Sequence, residues 1–301
     1  MWIKILTGLL IAILTVTFSG CGSEGGAQRQ VLEIQGSDTM VNLNQTWAEA
    51  YMDDNPNSQV SVTGGGSGTG IAALINDNVD IAGSSRYMKE EEIEEAKANN
   101  VEVYEFIVGQ DGVVVGIHED NPINGMTVDE LKKVFTGELT HWEDLGWEDG
   151  GEIEVYSRQS NSGTYVYFNE NIMEGEDWAS GAQFLSGSSA INEALQNDKN
   201  GIGYYGVGYV KDVKALEVAV NEDSEYYSPL EQKNIDSGDY PIARPLYFYT
   251  NGVPEGAVLD FLQFVLTDGQ EIIDEAGFYS LTPEYEEINK DRFTELGLKL
   301  E

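Results

Sequence analysis

After residue 30, short apolar runs alternate with segments whose apolar residues recur every three or four positions. Runs typical of strands cover residues 31–34, 60–62 and 79–82. Helical spacing is found in 40–51, in the segment that begins at Ile71, and in 89–99. Asn55-Pro56 marks the end of the first helix, because proline cannot continue it. This alternation predicts an α/β fold with a mostly parallel sheet.

The remainder of the chain continues the pattern. Further strands are predicted at 101–108, 112–117, 153–156, 202–205, 218–220 and 241–250, and further helices at 127–135, 165–172, 257–266 and 269–276. Thr127 is expected to cap its helix, because Glu130 stands at the capping-box position. No long linker interrupts the series, so we expect two lobes joined by several short crossings instead of two tandem domains.

The first 30 residues indicate where in the cell the protein is located. Residues 5–18 are almost unbroken in their apolar character and follow Lys4. About 14 residues are too few to span a membrane, which needs roughly 20, but they suit a signal peptide. Small residues then precede Cys21, the only cysteine. We therefore predict a lipoprotein signal peptide over 1–20, a lipidated Cys21 and a tether over 21–30; the alternative is an ordinary signal peptide with an incidental cysteine.

Composition narrows the class of protein. The chain has 16 Lys plus Arg against 53 Asp plus Glu, a net charge of −37. Such an acidic protein lacks the basic face that nucleic acids require. One cysteine excludes an internal disulfide framework, and two distant histidines make a His-built metal site unexpected. We expect no nucleic-acid partner, no metal and no cofactor.

Four loops share one composition. In each, a predicted strand runs into Gly, Ser and Thr residues before a helix begins, at 36–39 (GSDT), 64–70 (GGGSGTG), 83–86 (GSSR) and 157–164 (SRQSNSGT). A helix N-terminus exposes unpaired N–H groups and the positive end of the helix dipole, and Ser and Thr add hydroxyl donors. Such loops gather at the carboxyl ends of strands, so together they predict a site for a small anion. Each loop alone is also typical of an ordinary capped helix.

Arginine placement supports an anion site, whereas catalytic motifs are incomplete. Two of the five arginines, Arg86 and Arg158, lie in these loops, and either could pair with an oxyanion or form a surface ion pair. Ile71 stands where a P-loop requires Lys, and Thr69 replaces the last glycine of a nucleophile elbow. We therefore expect a binding protein and not an enzyme.

In their order and spacing, several segments resemble the phosphate-binding proteins of bacterial and archaeal high-affinity phosphate ABC transporters. The resemblance covers about residues 31–282 and rests on 36–40 (GSDTM), 66–70 (GSGTG), 80–86 (DIAGSSR), 134–137 (VFTG) with His141-Trp142, 158–164 and 201–204 (GIGY). It implies a two-lobed, type II periplasmic-binding-protein-like α/β fold with mixed, mostly parallel sheets and a ligand cleft between the lobes. Lobe 1 would comprise 31–112 plus 246–301, and lobe 2 would comprise 113–245.

The resemblance also implies which residues bind phosphate. Thr39 and the backbone N–H of Met40 would bind at one helix start, and Ser67 at a second. Arg158 would pair with the charge. The ligand would be capped from the other lobe by Ser162, Gly163 and Thr164. The expected set is completed by Ser37, Asp38, Ser84 and Ser85.

Two positions depart from the family pattern. Well-known members carry an Asp where this chain has Ser85, and that Asp accepts a hydrogen bond from protonated phosphate. Members also often have an acidic residue after the arginine, where this chain has Gln159. Both departures bear on the protonation state of the ligand and on discrimination against sulfate. We hypothesise that Asp38 supplies the missing acceptor.

The expected function is to bind inorganic phosphate outside the cytoplasmic membrane, as a lipid-anchored monomer, and to deliver it to the membrane permease of an ABC transporter. One alternative is a binding protein for another tetrahedral oxyanion, such as sulfate, arsenate or a phosphonate. Another is a sensor or adhesion lipoprotein of the same fold. The third, a secreted phosphate-ester hydrolase, lacks an evident base for a serine nucleophile.

Overall fold

The computed structural model describes residues 30–300; the expected signal peptide 1–20, Cys21 and residues 22–29 of the expected tether lie outside this range. Within it the chain forms eleven strands: β1 Gln30–Gly36, β2 Ser58–Thr63, β3 Ile81–Ser84, β4 Val103–Ile117, β5 Gly125–Thr127, β6 Glu154–Arg158, β7 Gln183–Leu185, β8 Gly201–Gly206, β9 Lys214–Ala215, β10 Glu217–Ala219 and β11 Ala243–Asn251. The same range forms nine α-helices: α1 Val41–Asp54, α2 Ser67–Ile75, α3 Glu90–Ala98, α4 Val128–Thr136, α5 Gly163–Asn171, α6 Gly187–Asn197, α7 Gln232–Asp236, α8 Gly256–Leu266 and α9 Pro283–Glu295.

One sheet runs through the molecule in the order β2-β1-β3-β11-β4-β8-β6-β7, and β9 pairs with the end of β4. Strand β1 is parallel to β2 and β3, and β6 is parallel to β7 and β8. By contrast, β11 and β4 run antiparallel to each of their neighbours. A small separate pair, β5 with β10, is parallel. The predicted α/β architecture with a mixed sheet is confirmed. In residues 30–300, five strand pairs are parallel and four are antiparallel.

Strands β4 and β11 cross between the two halves of the sheet, and we refer to them as the crossing strands. β4 is one strand of 15 residues, so the prediction of separate strands at 101–108 and 112–117 was wrong. The polar residues between those two runs, Gln110 and Asp111, are buried within the strand. Their side chains are paired with Asp236 and Arg244, and this pairing allows the strand to continue through them.

The half of the sheet with β1, β2 and β3 is the first lobe, and the half with β6, β7 and β8 is the second lobe. In the first lobe, Trp47 of α1 packs edge-on against Phe248 of β11, with ring centroids 6.0 Å apart. In the second lobe, Phe168 of α5 stacks on Tyr204 of β8 at 4.0 Å. The ring of Tyr204, which belongs to the aromatic-rich segment 203–210, packs in this core, and its hydroxyl is hydrogen-bonded with Ser157 Oγ at 2.8 Å. These aromatic contacts fix the helices that carry the loops described below.

Most predicted helices are present, with small shifts at their ends. The capping box is confirmed, since Thr127 Oγ1 accepts from the Glu130 N–H at 3.2 Å and Glu130 Oε2 accepts from the Thr127 N–H at 2.8 Å. The helix predicted at 269–276 is instead two 3-10 turns, Asp268–Glu271 and Ile273–Ala276. There the carbonyl of Gly269 accepts from the Trp47 indole at 2.8 Å, a tertiary contact that no local pattern reveals.

Candidate functional site

Three loops of the first lobe converge on one point through buried hydroxyl groups. Strand β1 leads into a 3-10 turn, Asp38–Met40, where Ser37 and Thr39 are buried. Ser67 is the first residue of α2 and is fully buried. Ser85 follows β3; its N–H donates to Ser67 Oγ at 3.1 Å, and its hydroxyl accepts from Ser37 Oγ at 2.9 Å. The three predicted first-lobe loops therefore form a single cluster.

Two predicted groups in these loops have partners within their own loops. Ser84 Oγ donates to the carbonyl of Arg86 at 2.7 Å, and the Met40 N–H donates to the carbonyl of Ser37 at 3.0 Å. Their contact with a ligand stays a prediction. Arg86 itself forms a two-pronged ion pair with Glu92, with Nη1 and Nη2 at 2.8 and 2.7 Å from the two carboxylate oxygens. Of the two readings of Arg86, the ion pair is the one observed.

The fourth loop belongs to the second lobe and begins where β6 ends. Arg158 is the last residue of β6 and is only 1% exposed. Ser162 caps α5, because its Oγ accepts from the N–H groups of Thr164 and Tyr165 at 3.2 and 3.4 Å. Gly163 and Thr164 form the first turn of that helix and are both buried. This helix start faces the first-lobe cluster.

The two lobes touch at this point. Thr39 Oγ1 lies 2.8 Å from Thr164 Oγ1. A Cβ atom added to Gly163 would stand 2.3 Å from Ser67 Oγ and 2.7 Å from Ser85 Oγ, so the lobes can approach this closely only at a glycine. The structure thus brings together most of the predicted residues: Ser37, Asp38, Thr39, Ser67, Ser85, Arg158, Ser162, Gly163 and Thr164.

Arg158 is a buried charge that contacts Asp38, one of the residues of this cluster. Its Nη1 donates to Ser188 Oγ at 3.0 Å, its Nη2 lies 3.5 Å from Asp38 Oδ2, and its Nε has no partner among the described residues. Burial lowers the pKa of Arg158 and nearby Arg244 lowers it further, whereas the Asp38 carboxylate raises it. A contact of 3.5 Å is too long for a strong hydrogen bond. The positive charge of this buried guanidinium is therefore largely uncompensated.

Two residues that the sequence reasoning missed support the cluster at its loops. Asn161 bridges the lobes, since its carbonyl accepts from the Gly68 N–H at 3.0 Å and its Nδ2 donates to the carbonyl of Gly65 at 2.7 Å. Ser188, the partner of Arg158, lies in the first turn of α6. The segment 186–189 (SGSS) follows β7 and has the composition of the four loops, so the same argument could have found it.

Two more missed residues lie in the crossing strands. Arg244 of β11 donates from Nε and Nη2 to Asp111 Oδ2 of β4, at 3.0 and 2.7 Å. The same Nη2 lies 2.9 Å from Thr164 Oγ1. Both residues lie inside strands, where no Gly- or Ser-rich composition marks a site. They place a second guanidinium beside the hydroxyl cluster.

The arrangement suits a small oxyanion. Hydroxyl groups of both lobes and the two guanidinium groups can donate hydrogen bonds to an anion. Bonds between charged partners are stronger than those between neutral ones. A cavity of about 450 Å³ adjoins the cluster and is lined in part by Ser85, Tyr87, Tyr167, Arg244 and Tyr247. In residues 30–300 no three His, Cys, Asp or Glu side chains are grouped to hold a metal ion. In the same part of the chain, no helix has the length and apolar character needed to cross a membrane.

Comparison with known proteins defines the class. Residues 22–269 match the family model described as a PBP superfamily domain. Because the match spans most of the chain, the protein is a member of the PBP superfamily. The two-lobed fold expected from the sequence is confirmed by the solved structures it resembles.

Named relatives narrow this class further. The chain is 30% identical over 267 residues to the phosphate-binding protein PstS of Staphylococcus haemolyticus, covering 85% of this chain and 83% of that protein. It is 30% identical over 282 residues to PstS of Pseudomonas aeruginosa, covering 87% and 86%. A phosphate ABC transporter substrate-binding protein from Clostridium perfringens, solved with bound phosphate, has a TM-score of 0.75 at 26% identity, covering 84% of this chain and 100% of that one. The chain belongs to the PstS family of phosphate-binding proteins, whose names describe binders and not enzymes.

Proposed function

We propose that the protein binds inorganic phosphate outside the cytoplasmic membrane and delivers it to the permease of an ABC transporter. The observation that carries this proposal is Arg158, which is 1% exposed, donates to Ser188 Oγ at 3.0 Å, and among the described residues has one carboxylate contact, with Asp38 at 3.5 Å. A buried charge needs a partner, and a tetrahedral oxyanion can accept hydrogen bonds on every side. The relatives named for phosphate binding support phosphate as that anion.

The lobes, we infer, divide into 31–112 with 246–301 and into 113–245. In support, β4 pairs with β11 up to Gly112 and with β8 from Val113 onward. The pairing of β4 with β11 also shifts register between Leu246 and Tyr247. A register shift of this kind is where paired strands bend. Closure about these points would bring the two helix starts together over the ligand, and opening would release it.

Asp38 is proposed as the acceptor that distinguishes phosphate from sulfate. Near neutral pH phosphate retains a proton that sulfate lacks, so a carboxylate acceptor favours phosphate and repels sulfate. Asp38 Oδ1 accepts from the Gly65 N–H at 2.8 Å, whereas the one contact of Oδ2 with the described residues is that with Arg158 at 3.5 Å. The other nearby carboxylate, Asp111, is engaged by Arg244. Asp38 is therefore the carboxylate of the cluster with acceptor capacity to spare.

Anchoring through Cys21 and a monomeric state complete the proposal. A tether over 21–30 would hold the folded part near the membrane and leave the lobes free to close. Cys21→Ser should move the protein from the membrane fraction to the soluble fraction and abolish incorporation of radiolabelled fatty acid. Labelling that persists in this variant would exclude Cys21 as the attachment point. Sedimentation equilibrium at several concentrations would test the monomer.

The decisive experiment is calorimetric titration of the purified protein with phosphate and then with sulfate. We expect tight one-to-one binding of phosphate and no response to sulfate. No response to phosphate, or equal responses to both, would mean that the family fold is present but the ligand assignment is wrong. Arsenate and a simple phosphonate are titrated in parallel to test the other oxyanions. Release of a chromogenic alcohol from a phosphate ester would favour the hydrolase instead.

A further inference from the structure

Arg244 has no part in the site predicted from sequence, yet it contacts that site directly. It lies on β11 directly opposite Asp111 on β4, and these residues are 4% and 0% exposed. Its Nε and Nη2 donate to Asp111 Oδ2 at 3.0 and 2.7 Å, and Nη2 also lies 2.9 Å from Thr164 Oγ1. One guanidinium therefore joins a crossing strand to a hydroxyl of the ligand-binding cluster.

This contact excludes one direction for the hydrogen of the Thr164 hydroxyl. A guanidinium can only donate, so Thr164 Oγ1 is the acceptor in its bond with Arg244. The single hydrogen of Thr164 is then directed elsewhere, and Thr39 Oγ1 of the first lobe lies 2.8 Å away. An unprotonated oxyanion oxygen can only accept hydrogen bonds. With its hydrogen kept away from Arg244, the Thr164 hydroxyl is free to donate to such an oxygen in the cleft.

Asp111 fixes Arg244 in this orientation. Besides pairing with Arg244, Asp111 uses Oδ1 to accept from the Val207 N–H at 2.9 Å, just after β8. The ion pair is thus attached to both crossing strands and to the second lobe. Arg244 Nη1 has no partner among the described residues, and Arg244 lines the cavity beside Ser85. The charge of Arg244 is compensated by Asp111, whereas the charge of Arg158 is largely uncompensated.

We propose that Arg244 is a positioning residue for phosphate binding, which holds the Thr164 hydroxyl as a donor to the ligand and ties it through Asp111 to the crossing strands. The inference rests on the proposed function, because the direction of this hydroxyl matters only if an oxyanion binds beside it. It differs from a purely structural role in one measurable respect. The effect of Arg244 on phosphate affinity should depend on the presence of the Thr164 hydroxyl oxygen.

A double-mutant cycle with inorganic phosphate, using the full chain, tests this dependence. Arg244→Gln should weaken phosphate binding about thirtyfold in the wild-type background, and in the Thr164→Val background it should cost less than about twofold. In the Thr164→Ser background, which keeps the hydroxyl, the full loss should return. Arg86→Gln is the matched control, because Arg86 is also buried and ion-paired, with Glu92, and should leave phosphate affinity unchanged.

Arg244→Gln alone leaves the buried Asp111 carboxylate without its partner, which can prevent folding. The double variant Asp111→Asn with Arg244→Gln removes both charges and is carried through the same cycle, with thermal unfolding as the check on folding. Equal losses in the wild-type and Thr164→Val backgrounds would refute the inference and leave Arg244 a structural residue. A wild-type protein that binds no phosphate would instead overturn the proposed function, and the inference with it.

Discussion

The hydroxyl oxygens of Thr39 and Thr164 lie 2.8 Å apart, although 125 positions separate the two residues and they belong to opposite lobes. Both residues are fully buried, so this contact is removed from water. Each stands at a helix start, Thr39 just before α1 and Thr164 in the first turn of α5. The atoms that join the lobes are therefore the same atoms that we propose bind the ligand, and changes here should alter closure and affinity together.

Gly163→Ala should weaken phosphate binding strongly. A Cβ at this position would lie 2.3 Å from Ser67 Oγ, so the lobes could not close fully around the ligand. We expect a loss of about 100-fold in affinity by calorimetry, since donors displaced from hydrogen-bonding distance contribute little. Gly181→Ala is the matched control in the same lobe, where an added Cβ would meet nothing within 4 Å. Unchanged affinity in Gly163→Ala would mean that the bound state is more open than this structure.

Asn161→Ala should speed the release of phosphate. Its side chain donates to Gly65 O at 2.7 Å and to Thr69 Oγ1 at 3.1 Å across the cleft mouth. Because these contacts are exposed, we expect the dissociation rate measured by stopped flow to rise about fivefold. Asn197→Ala removes a comparable exposed amide, whose partner among the described residues is the Glu193 carbonyl of its own helix, and should leave the dissociation rate unchanged. Equal dissociation rates in the two variants would mean that the contacts of Asn161 between the lobes do not slow the release of phosphate.

Asp38→Asn should reduce the preference for phosphate over sulfate. The amide keeps an oxygen for the Gly65 N–H but loses the charge that repels sulfate. We expect phosphate affinity to fall and sulfate binding to become measurable. The ratio of phosphate affinity to sulfate affinity should then decrease about tenfold or more. The exposed Asp53→Asn controls for net charge. Unchanged phosphate affinity and sulfate rejection in Asp38→Asn would exclude Asp38 as the acceptor.

Tyr204→Phe should lower the stability of the protein, whereas Tyr205→Phe should not. The Tyr204 hydroxyl is hydrogen-bonded with Ser157 Oγ at 2.8 Å and accepts from the Arg158 N–H at 3.3 Å. Its loss should lower the free energy of unfolding by about 1–2 kcal/mol, as for a buried group left unpaired. The Tyr205 hydroxyl is buried without a partner among the described residues. Removing it should leave the free energy of unfolding unchanged or raise it, and urea denaturation compares the two. A larger loss in Tyr205→Phe would contradict this assignment.

Arg86→Gln should destabilise the fold without affecting the ligand. It breaks a largely buried ion pair, which costs about 3 kcal/mol of unfolding free energy. Burial alone would raise the pKa of Glu92, but hydrogen bonds from Arg86 and from the Lys89 N–H outweigh it and hold the pKa below its usual 4.5. A lowered carboxyl pKa gives stability that is present above the unfolded value and lost as the pH falls through the folded one.

Urea denaturation of the wild type below pH 4.5 should therefore show a steeper loss of stability than Arg86→Gln, in which the Glu92 carboxyl has lost its charged partner. Lys133→Gln serves as the control, because its ion pair with Asp129 is largely exposed. Parallel pH profiles for the wild type and Arg86→Gln would mean that Glu92 titrates normally in the folded protein.

The sequence was informative where local composition is tied to local geometry. Gly, Ser and Thr before a helix marked the four loops, and the same rule applied to 186–189 would have added Ser188. It did not predict the ion pair of Asp111 with Arg244, because the two residues are 133 positions apart and lie within strands. Charged residues in a strand are ordinarily solvent-facing, and only the crossing of β4 and β11 turns this pair inward. Contacts created by topology cannot be read from periodicity.

The strand order also has a consequence for the biogenesis of the protein. The first lobe has β11 inserted between β3 and β4, so its sheet lacks a strand until residue 251 has been synthesised. Strands β6, β7 and β8 lie within residues 154–206 and pair with one another and with the earlier β4. Distant pairings form late because their loop-closure cost is high. We therefore expect the second lobe to complete its sheet before the first lobe does, and the ligand site to be among the last features to form.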